Sequence, residues 1–305
     1  MSGRKNSYDR RDRQALAQMA ANLPAIASLS DEAIDIPYDR KEFEEAILPI
    51  ADIINRHIAI KRRQMTASGD QAANADRRIP FIIGLVGSVA VGKSTMAELL
   101  RHALQLSTEH LQIALVPTDG FLFPNAELEA RGLLERKGFP ESFDTEKLID
   151  FLKQLQRGSA TVEAPVYSHF YYDVVSDQSM PITAPDIVIM EGVNLLQPGN
   201  IEESREKPSD FLDFSIYIDA NEADIKSWFT DRFIALCEAA RSTPETFLYR
   251  FATLNQRELR DVAQFVWSTI NGKNLADHIL PTRSFADLII HKASDHRINY
   301  IELRR

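Results

Sequence analysis

Residues Gly87, Ser88, Val89, Ala90, Val91, Gly92, Lys93 and Ser94, followed by Thr95, fit the string G-x-x-x-x-G-K-[ST] without an exception. The chemistry such a string performs is phosphate binding. Its glycines let the backbone curl so that successive N–H groups converge on phosphate oxygens, and a helix starting beside them adds the positive end of its dipole. Lys93 supplies a mobile cation for terminal phosphates, and the Ser94 hydroxyl is a hard oxygen suited to Mg²⁺. Two carboxylates complete the candidate set. Asp119, in Thr118-Asp119-Gly120-Phe121, directly follows an apolar run and suits the role of accepting the proton of an alcohol that attacks a phosphate. An Asp-Gly pair is equally the composition of a plain turn. Glu191 ends the apolar run that starts after Asp186 and is a second Mg²⁺ ligand, direct or through water, whereas Asp186 reads as a turn residue.

These side chains need a frame that brings them to one edge. Short β-branched runs at 81–86, 113–116, 187–190, 214–218 and 288–290 read as strands buried on both faces of a mainly parallel sheet. Stretches 94–106, 145–156 and 223–240 have helical length and periodicity, and 244–270 reads as two more helices. The fold class is therefore α/β, an open, mostly parallel sheet with helices on both faces and helical additions at both ends. In such sheets ligands bind outside the carboxyl ends of the strands, where the phosphate loop, Asp119 and Glu191 all fall. Ahead of this core, 38–63 reads as an amphipathic helix in which Pro49 marks a kink or a start, and 66–78 reads as loop. Residues 1–79 are expected to form a tail and helical extension packing on the core, and 80–305 the core itself with a C-terminal substrate-binding segment.

Composition removes several classes of function. Of 305 residues 44% are hydrophobic and 26% charged, which suits a globular chain rather than a disordered one. The longest apolar run, about a dozen residues from Phe81 to Gly92, is broken by glycines and falls short of the roughly 18 needed to cross a bilayer. The 44 acids outweigh the 35 bases, for a net charge of -9, so no global positive field recruits nucleic acid or anionic lipid. Arg4, Lys5, Arg10, Arg11 and Arg13 are diluted by Asp9 and Asp12 and read, with the weakly apolar stretch 15–27, as a solvated tail and short helix rather than a secretory signal. Cys237 is the only cysteine, which excludes an intrachain disulfide and fits a reducing cytoplasm. The marks of a guanine-nucleotide switch, Asp-x-x-Gly and [Asn/Thr]-Lys-x-Asp, are missing.

Beyond the phosphate loop, an ordered series of strings resembles bacterial type I pantothenate kinases, P-loop kinases related to uridine kinases and phosphoribulokinases. It runs through 87–95, 118–122, Arg136-Lys137-Gly138-Phe139-Pro140-Glu141-Ser142-Phe143-Asp144 and Ala164-Pro165-Val166-Tyr167-Ser168-His169. It continues with Glu191-Gly192-Val193-Asn194-Leu195-Leu196-Gln197, 213–220 and Leu280-Pro281-Thr282-Arg283, covering the chain from about Leu48 onward. The resemblance implies ATP- and Mg²⁺-dependent phosphorylation of the primary hydroxyl of pantothenate, the first step toward coenzyme A, by a cytoplasmic homodimer subject to feedback inhibition by coenzyme A. It implies Asp119 as catalytic base, with Lys93 and Ser94 on ATP and Mg²⁺. It also implies Tyr167, His169, Phe229, Arg232 and Asn271 around pantothenate, Arg232 pairing with the substrate carboxylate, and Lys292 and His296 near adenine. Read alone, Arg232 is an exposed helix residue in a salt bridge with a neighbouring turn, His169 a structural histidine, and Lys292 and His296 surface residues.

Departures from the family pattern bear on specificity. Phe229 stands where a Tyr is common. Asp35 falls where an Asn covers adenine, and Glu98 where an Arg meets coenzyme A phosphates. Leu236 and Arg241 replace aromatic residues around the end of the pocket that takes the thiol. The expectation is retained catalysis with weakened inhibition by coenzyme A. Two alternatives stay open: a kinase of the same fold acting on another small alcohol, against which Tyr167, His169, Arg232 and Asn271 speak, and a non-catalytic nucleotide or coenzyme A sensor, against which Lys93, Ser94 and Asp119 speak together.

Overall fold

The computed structural model of the chain describes residues 7–23, 36–67, 79–107, 111–198 and 206–305. Arg4, Lys5, Asp35, the end of the 15–27 stretch and most of the 66–78 loop lie outside the described residues. Strand β1 (Tyr8–Asp12) leads into helix α1 (Arg13–Ala21), capped by the Asp12 carboxylate on the Ala15 N–H. A short helical turn α2 (Arg40–Glu42) continues through a π-helical segment, Phe43–Ile47, into α3 (Leu48–Ala67). Pro49 has no N–H to give to the carbonyl four residues back, and the winding widens just before it, with Leu48 N–H donating to the Phe43 carbonyl. Helical structure therefore runs on either side of Pro49 without a break.

The core proper begins with β2 (Phe81–Gly87), buried along its whole length, followed by α4 (Lys93–Ser107), β3 (Ile113–Pro117), α5 (Asn125–Ala130) and α6 (Thr145–Gln156). A hairpin of β4 (Thr161–Ser168) and β5 (Asp173–Thr183) precedes β6 (Ile187–Gly192), β7 (Phe214–Ala220) and α7 (Glu222–Ala240). The chain then passes through a 3-10 segment, Phe247–Phe251, to α8 (Gln256–Val266), a further π-helical segment, Trp267–Asn271, the short α9 (Gly272–Asn274), and strands β8 (Leu288–Lys292) and β9 (Ile298–Arg304).

Among the described residues seven strands form one sheet in the order β1-β9-β8-β7-β2-β6-β3, and the five from β8 to β3 are parallel. Leu85 and Pro117 each register with Glu191, so the carboxyl ends of β2, β3 and β6 finish level and present the phosphate loop, Asp119 and Glu191 at one edge. Phe43, Ile47, Ile50, Ile54 and Leu16 join the same core cluster as Ile83, Leu85, Ile189 and Ile216, so the N-terminal helices are buried against the sheet.

Three features differ from the sequence expectation. The segment around Arg10 and Arg11 is no solvated tail: it pairs as β1 with β9, and the Arg10 guanidinium lies 3.6 Å from the centre of the Tyr300 ring. The β4–β5 hairpin and β9 carry too many polar residues to read as buried strands; β5 is exposed over much of its length. Residues 244–270 give one α-helix preceded by a 3-10 segment rather than two helices. The capping box of Asn255 and Glu258 marks where that helix begins.

Candidate active site

The phosphate loop owes its shape to two residues in the left-handed region, Ala90 at φ 61° and Gly92 at φ 91°. Gly92 is the natural occupant there; Ala90 bears backbone strain of the kind that concentrates at ligand sites. Gly87 also has no room for a side chain, since a Cβ would stand 2.7 Å from the Ile218 carbonyl oxygen. Lys93 opens α4, and its Nζ donates to the Ser88 carbonyl at 2.9 Å. Burial holds this ammonium below the usual lysine range; Glu191 and Asp119 oppose that shift and Arg232 adds to it. Ser94 Oγ donates to Glu191 Oε1 at 2.6 Å. The hydroxyl and carboxylate thus form a pair of hard oxygen donors at the loop's mouth, which is the donor chemistry Mg²⁺ requires.

Asp119 stands in a 3-10 turn, Thr118–Phe121, at the end of β3. Gly120 is confined by the backbone of Pro165, whose carbonyl carbon would lie 2.8 Å from an added Cβ, and Gly192 is confined by Thr118 in the same way, with Thr118 Cβ at 2.8 Å. Two glycines therefore lock the ends of β3 and β6 and the middle of β4 together around the carboxylate. The Asp119 charge acts on Lys93 and Lys137, opposing the loss of their protons, and helps keep the Tyr167 and Tyr172 phenols protonated, after burial and, for Tyr167, the effect of Tyr172.

A cavity of about 1560 Å³ joins these groups. Val89, Ala90, Lys93, Ser94, Asp119 and Glu191 line it together with Tyr167, His169, Phe229, Arg232 and Asn271. Tyr167 and His169 meet edge to face at 5.2 Å. Phe229 sits between Phe233 and Trp267, at 6.2 and 5.8 Å. Arg232 has no ion-pair partner among the described residues, unlike the helix-surface arginine that its position alone suggests. Leu236 reaches the cavity, whereas Arg241 turns away and donates to the Leu254 carbonyl at 2.9 Å. Glu98 also lines the cavity, with its carboxylate held by Arg101 at 2.6 Å, so the acid comes with its own neutralising partner.

Three cavity residues carry no signal that single-sequence reasoning picks out. Lys137 Nζ donates to Asn125 Oδ1 at 2.6 Å and to the Tyr172 carbonyl at 2.5 Å, with the rings of Tyr167 and Tyr172 near 5 Å. Burial pushes its ammonium below the usual range, against Asp173 and Asp119. Tyr172 turns at φ 58° and stacks on Phe247 at 4.6 Å. Asn274 is the third. Lys137 lies inside the string 136–144, but a lysine beside a glycine looks like any solvated turn.

Lys292 and His296 lie apart from the cavity lining. Lys292 is buried and donates from Nζ to the Val91 carbonyl at 3.1 Å, so it braces the phosphate loop from behind and is no surface residue. His296, at φ 68°, stacks on Trp228 at 4.1 Å, and the Trp228 indole N–H donates to the Ser294 carbonyl. Burial, then Lys292, lowers the His296 pKa. The turn carrying both is tied to the N-terminal extension by Arg297 on Asp39, at 2.7 Å, and by the Ile298 N–H on Glu42, at 2.6 Å.

Comparison with known proteins bears on this site. The model of the phosphoribulokinase / uridine kinase family matches residues 82–228, from β2 into α7. A protein named pantothenate kinase from Parvibaculum lavamentivorans is 43% identical over 267 residues, 87% of this chain and 82% of that protein. Another of that name, from Nocardioides sp., is 42% identical over 314 residues, 100% of this chain and 95% of its own length. Among solved structures, D-glycerate 3-kinase from Cryptococcus neoformans superposes with a TM-score of 0.55 over 83% of this chain and 97% of its own, at 15% identity, a likeness of fold alone.

Proposed function

The chain belongs to the pantothenate kinase family, and from that premise we propose that it transfers the γ-phosphoryl group of ATP to the primary hydroxyl of pantothenate, the first step of coenzyme A biosynthesis. The observation that carries this reading is one cavity shared by a phosphate loop, a carboxylate at the end of the neighbouring strand and an arginine without an ion-pair partner among the described residues. Lys93 leaves the Ser88 carbonyl for the terminal phosphates, and with the loop amides it holds negative charge where charge grows in the transition state. Asp119 orients the hydroxyl and accepts its proton as the oxygen bonds to phosphorus; the bond from phosphorus to the bridging oxygen breaks, and ADP leaves. Arg232 pairs with the pantothenate carboxylate, and Tyr167, His169 and Asn271 supply polar contacts along its length. Phe229 offers only an apolar face.

Ser94 and Glu191 are the residues that would hold Mg²⁺, which when bound screens charge on the β- and γ-phosphates. Lys292 and His296 are assigned to the nucleotide by resemblance, supported by the contact of Lys292 with the phosphate loop. The reading extends to a cytoplasmic homodimer inhibited only weakly by coenzyme A. A single buried cysteine supports the compartment, and among the described residues no helix is long and apolar enough to cross a membrane.

The test is ADP release from Mg·ATP with and without pantothenate, beside an Asp119→Asn variant. Pantothenate-dependent release that falls by a factor of roughly 10² to 10⁴ in the variant, with ATP affinity kept, is expected. Full activity in the variant removes Asp119 from the base role, and release indifferent to pantothenate removes the substrate.

A further inference from the structure

Asn274 lines the cavity and is 5% exposed. It ends α9, three residues after Asn271, so the two amides share a helix face one turn apart. Its Nδ2 donates to the Gly138 carbonyl at 2.7 Å. Because a carbonyl only accepts, this bond fixes the amide's orientation: nitrogen faces Gly138, and the side-chain oxygen faces elsewhere. That oxygen, Oδ1, is buried and has no hydrogen-bond partner among the described residues. Donors on the adjacent turn are directed to other acceptors, the Lys137 ammonium to Asn125 and the Tyr172 carbonyl and the Gly138 N–H to Ser142 Oγ. Buried amide oxygens are seldom left unpaired, and this one belongs to a side chain that borders the cavity. The turn it is tied to contains Lys137, whose ammonium donates to the Tyr172 carbonyl, and the Tyr172 ring meets that of Tyr167 at 6.1 Å, so Asn274 stands on the acceptor side of the site.

We propose that Asn274 is a specificity residue for the acceptor, its Oδ1 accepting a hydrogen bond from a donor that lies between the reacting hydroxyl and the carboxylate of pantothenate. The inference rests on pantothenate as the acceptor. Pantothenate has two such donors, its secondary hydroxyl and its amide N–H, and both present the same chemistry to an amide oxygen. A site built around a buried acceptor rejects an analogue that lacks the donor, because the acceptor is then left dry and unpaired.

The test crosses enzyme variants with substrate analogues. Wild-type protein, Asn274→Ala and Asn274→Asp are assayed for kcat/KM with pantothenate, with its analogue lacking the secondary hydroxyl, and with the ester analogue in which oxygen replaces the amide N–H. Wild type is expected to lose roughly 5- to 100-fold on one of the two analogues, which identifies the donor. In Asn274→Ala that analogue and pantothenate become equal within about threefold, whereas Asn274→Asp, which keeps an acceptor oxygen, keeps the discrimination. A residue that merely tethers α9 to Gly138 gives a different result: both substrates weaken together and the discrimination survives in Asn274→Ala, which overturns the proposal, as does a wild type that penalises neither analogue. Melting temperature and the KM for ATP report whether the variants fold; if Asn274→Ala does not, loss of discrimination in a folded Asn274→Asp also overturns it. Wild-type protein with no pantothenate-dependent turnover is a separate result, which overturns the acceptor assignment and the donor named here with it.

Discussion

Adding one methyl group at Gly192 should cripple the enzyme without replacing a single polar residue. An added Cβ there would lie 1.8 Å from Thr118 Oγ1, which side-chain rotation can relieve, but also 2.8 Å from Thr118 Cβ and 2.9 Å from Thr118 Cγ2. Rotating the Thr118 side chain does not move its Cβ, so restoring ordinary van der Waals distance parts the ends of β3 and β6 by about 0.6 Å. Asp119 follows Thr118 and Glu191 precedes Gly192, so the shift separates the candidate base from the Ser94–Glu191 pair. Misplacement by 1 Å costs about 10²-fold in rate, which makes a drop of roughly 10- to 100-fold in kcat the expected result for Gly192→Ala, with about 1–3 kcal/mol lost in stability. Coupled ADP-release kinetics and thermal unfolding measure both. Gly84→Ala is the matched control: its Cβ would meet the flexible end of the Leu212 side chain, in the middle of β2 and three residues before Gly87, and kcat should stay within about twofold. Adding Thr118→Gly to Gly192→Ala should recover rate relative to Thr118→Gly alone. A Gly192→Ala enzyme within threefold of wild-type turnover would refute the claim that these strand ends hold the base in position.

Glu98→Arg should strengthen inhibition by coenzyme A several-fold, because it replaces the carboxylate paired with Arg101 by a second cation at the cavity wall; unchanged inhibition curves count against that wall as the phosphate contact. Cys237 is fully buried and its thiol is pushed up to about 11, so thiolate is about one part in a thousand at pH 8, and labelling by iodoacetamide should wait for unfolding; rapid labelling of native protein contradicts this. His102 packs against Phe43 with Nε2 buried and without a hydrogen-bond partner among the described residues, and burial, then Arg101, lowers its pKa from 6.5. The unfolded chain therefore binds more protons than the folded one as pH falls through about 6.5, and stability should decline over that window. His102→Gln should make melting temperature less steep between pH 7 and 5, leaving a residual slope from His296, whose pKa is also lowered; an unaltered slope rules His102 out.

The parallel strands and the phosphate loop were legible because both leave local marks. Ile82, Ile83, Leu85 and Val86 are apolar on both faces, which only a covered sheet tolerates, and Gly87, Gly92 and Lys93 stand at fixed spacing. What escaped depends on distant partners. Tyr8 and Arg10 become a strand only because Arg304 and Glu302 offer an edge, and nothing within five charged and polar residues announces that pairing. Lys292 reads as a surface residue until β8 delivers it to the back of the loop, where the Val91 carbonyl receives it. Asn274 and Lys137, 137 positions apart, meet in one wall through the Gly138 carbonyl, a contact with no counterpart in periodicity or motif.

The pairing of Tyr8 with Arg304 also sets an order of assembly. Joining residues so far apart before the intervening chain has folded means closing a loop of nearly the full length, for the return of a few ladder hydrogen bonds. Strand β1 should therefore be the last piece of the sheet to dock and the first to leave, with its amides exchanging faster than those of β2. Until it does dock, β9 is an open edge with free backbone groups, the kind of template on which a neighbouring chain can nucleate. The charges of Asp9, Arg10, Arg11 and Asp12 give the strand that finally occupies the border an outer rim poorly suited to further stacking, so the terminal segment acts as a late-closing seal against self-association.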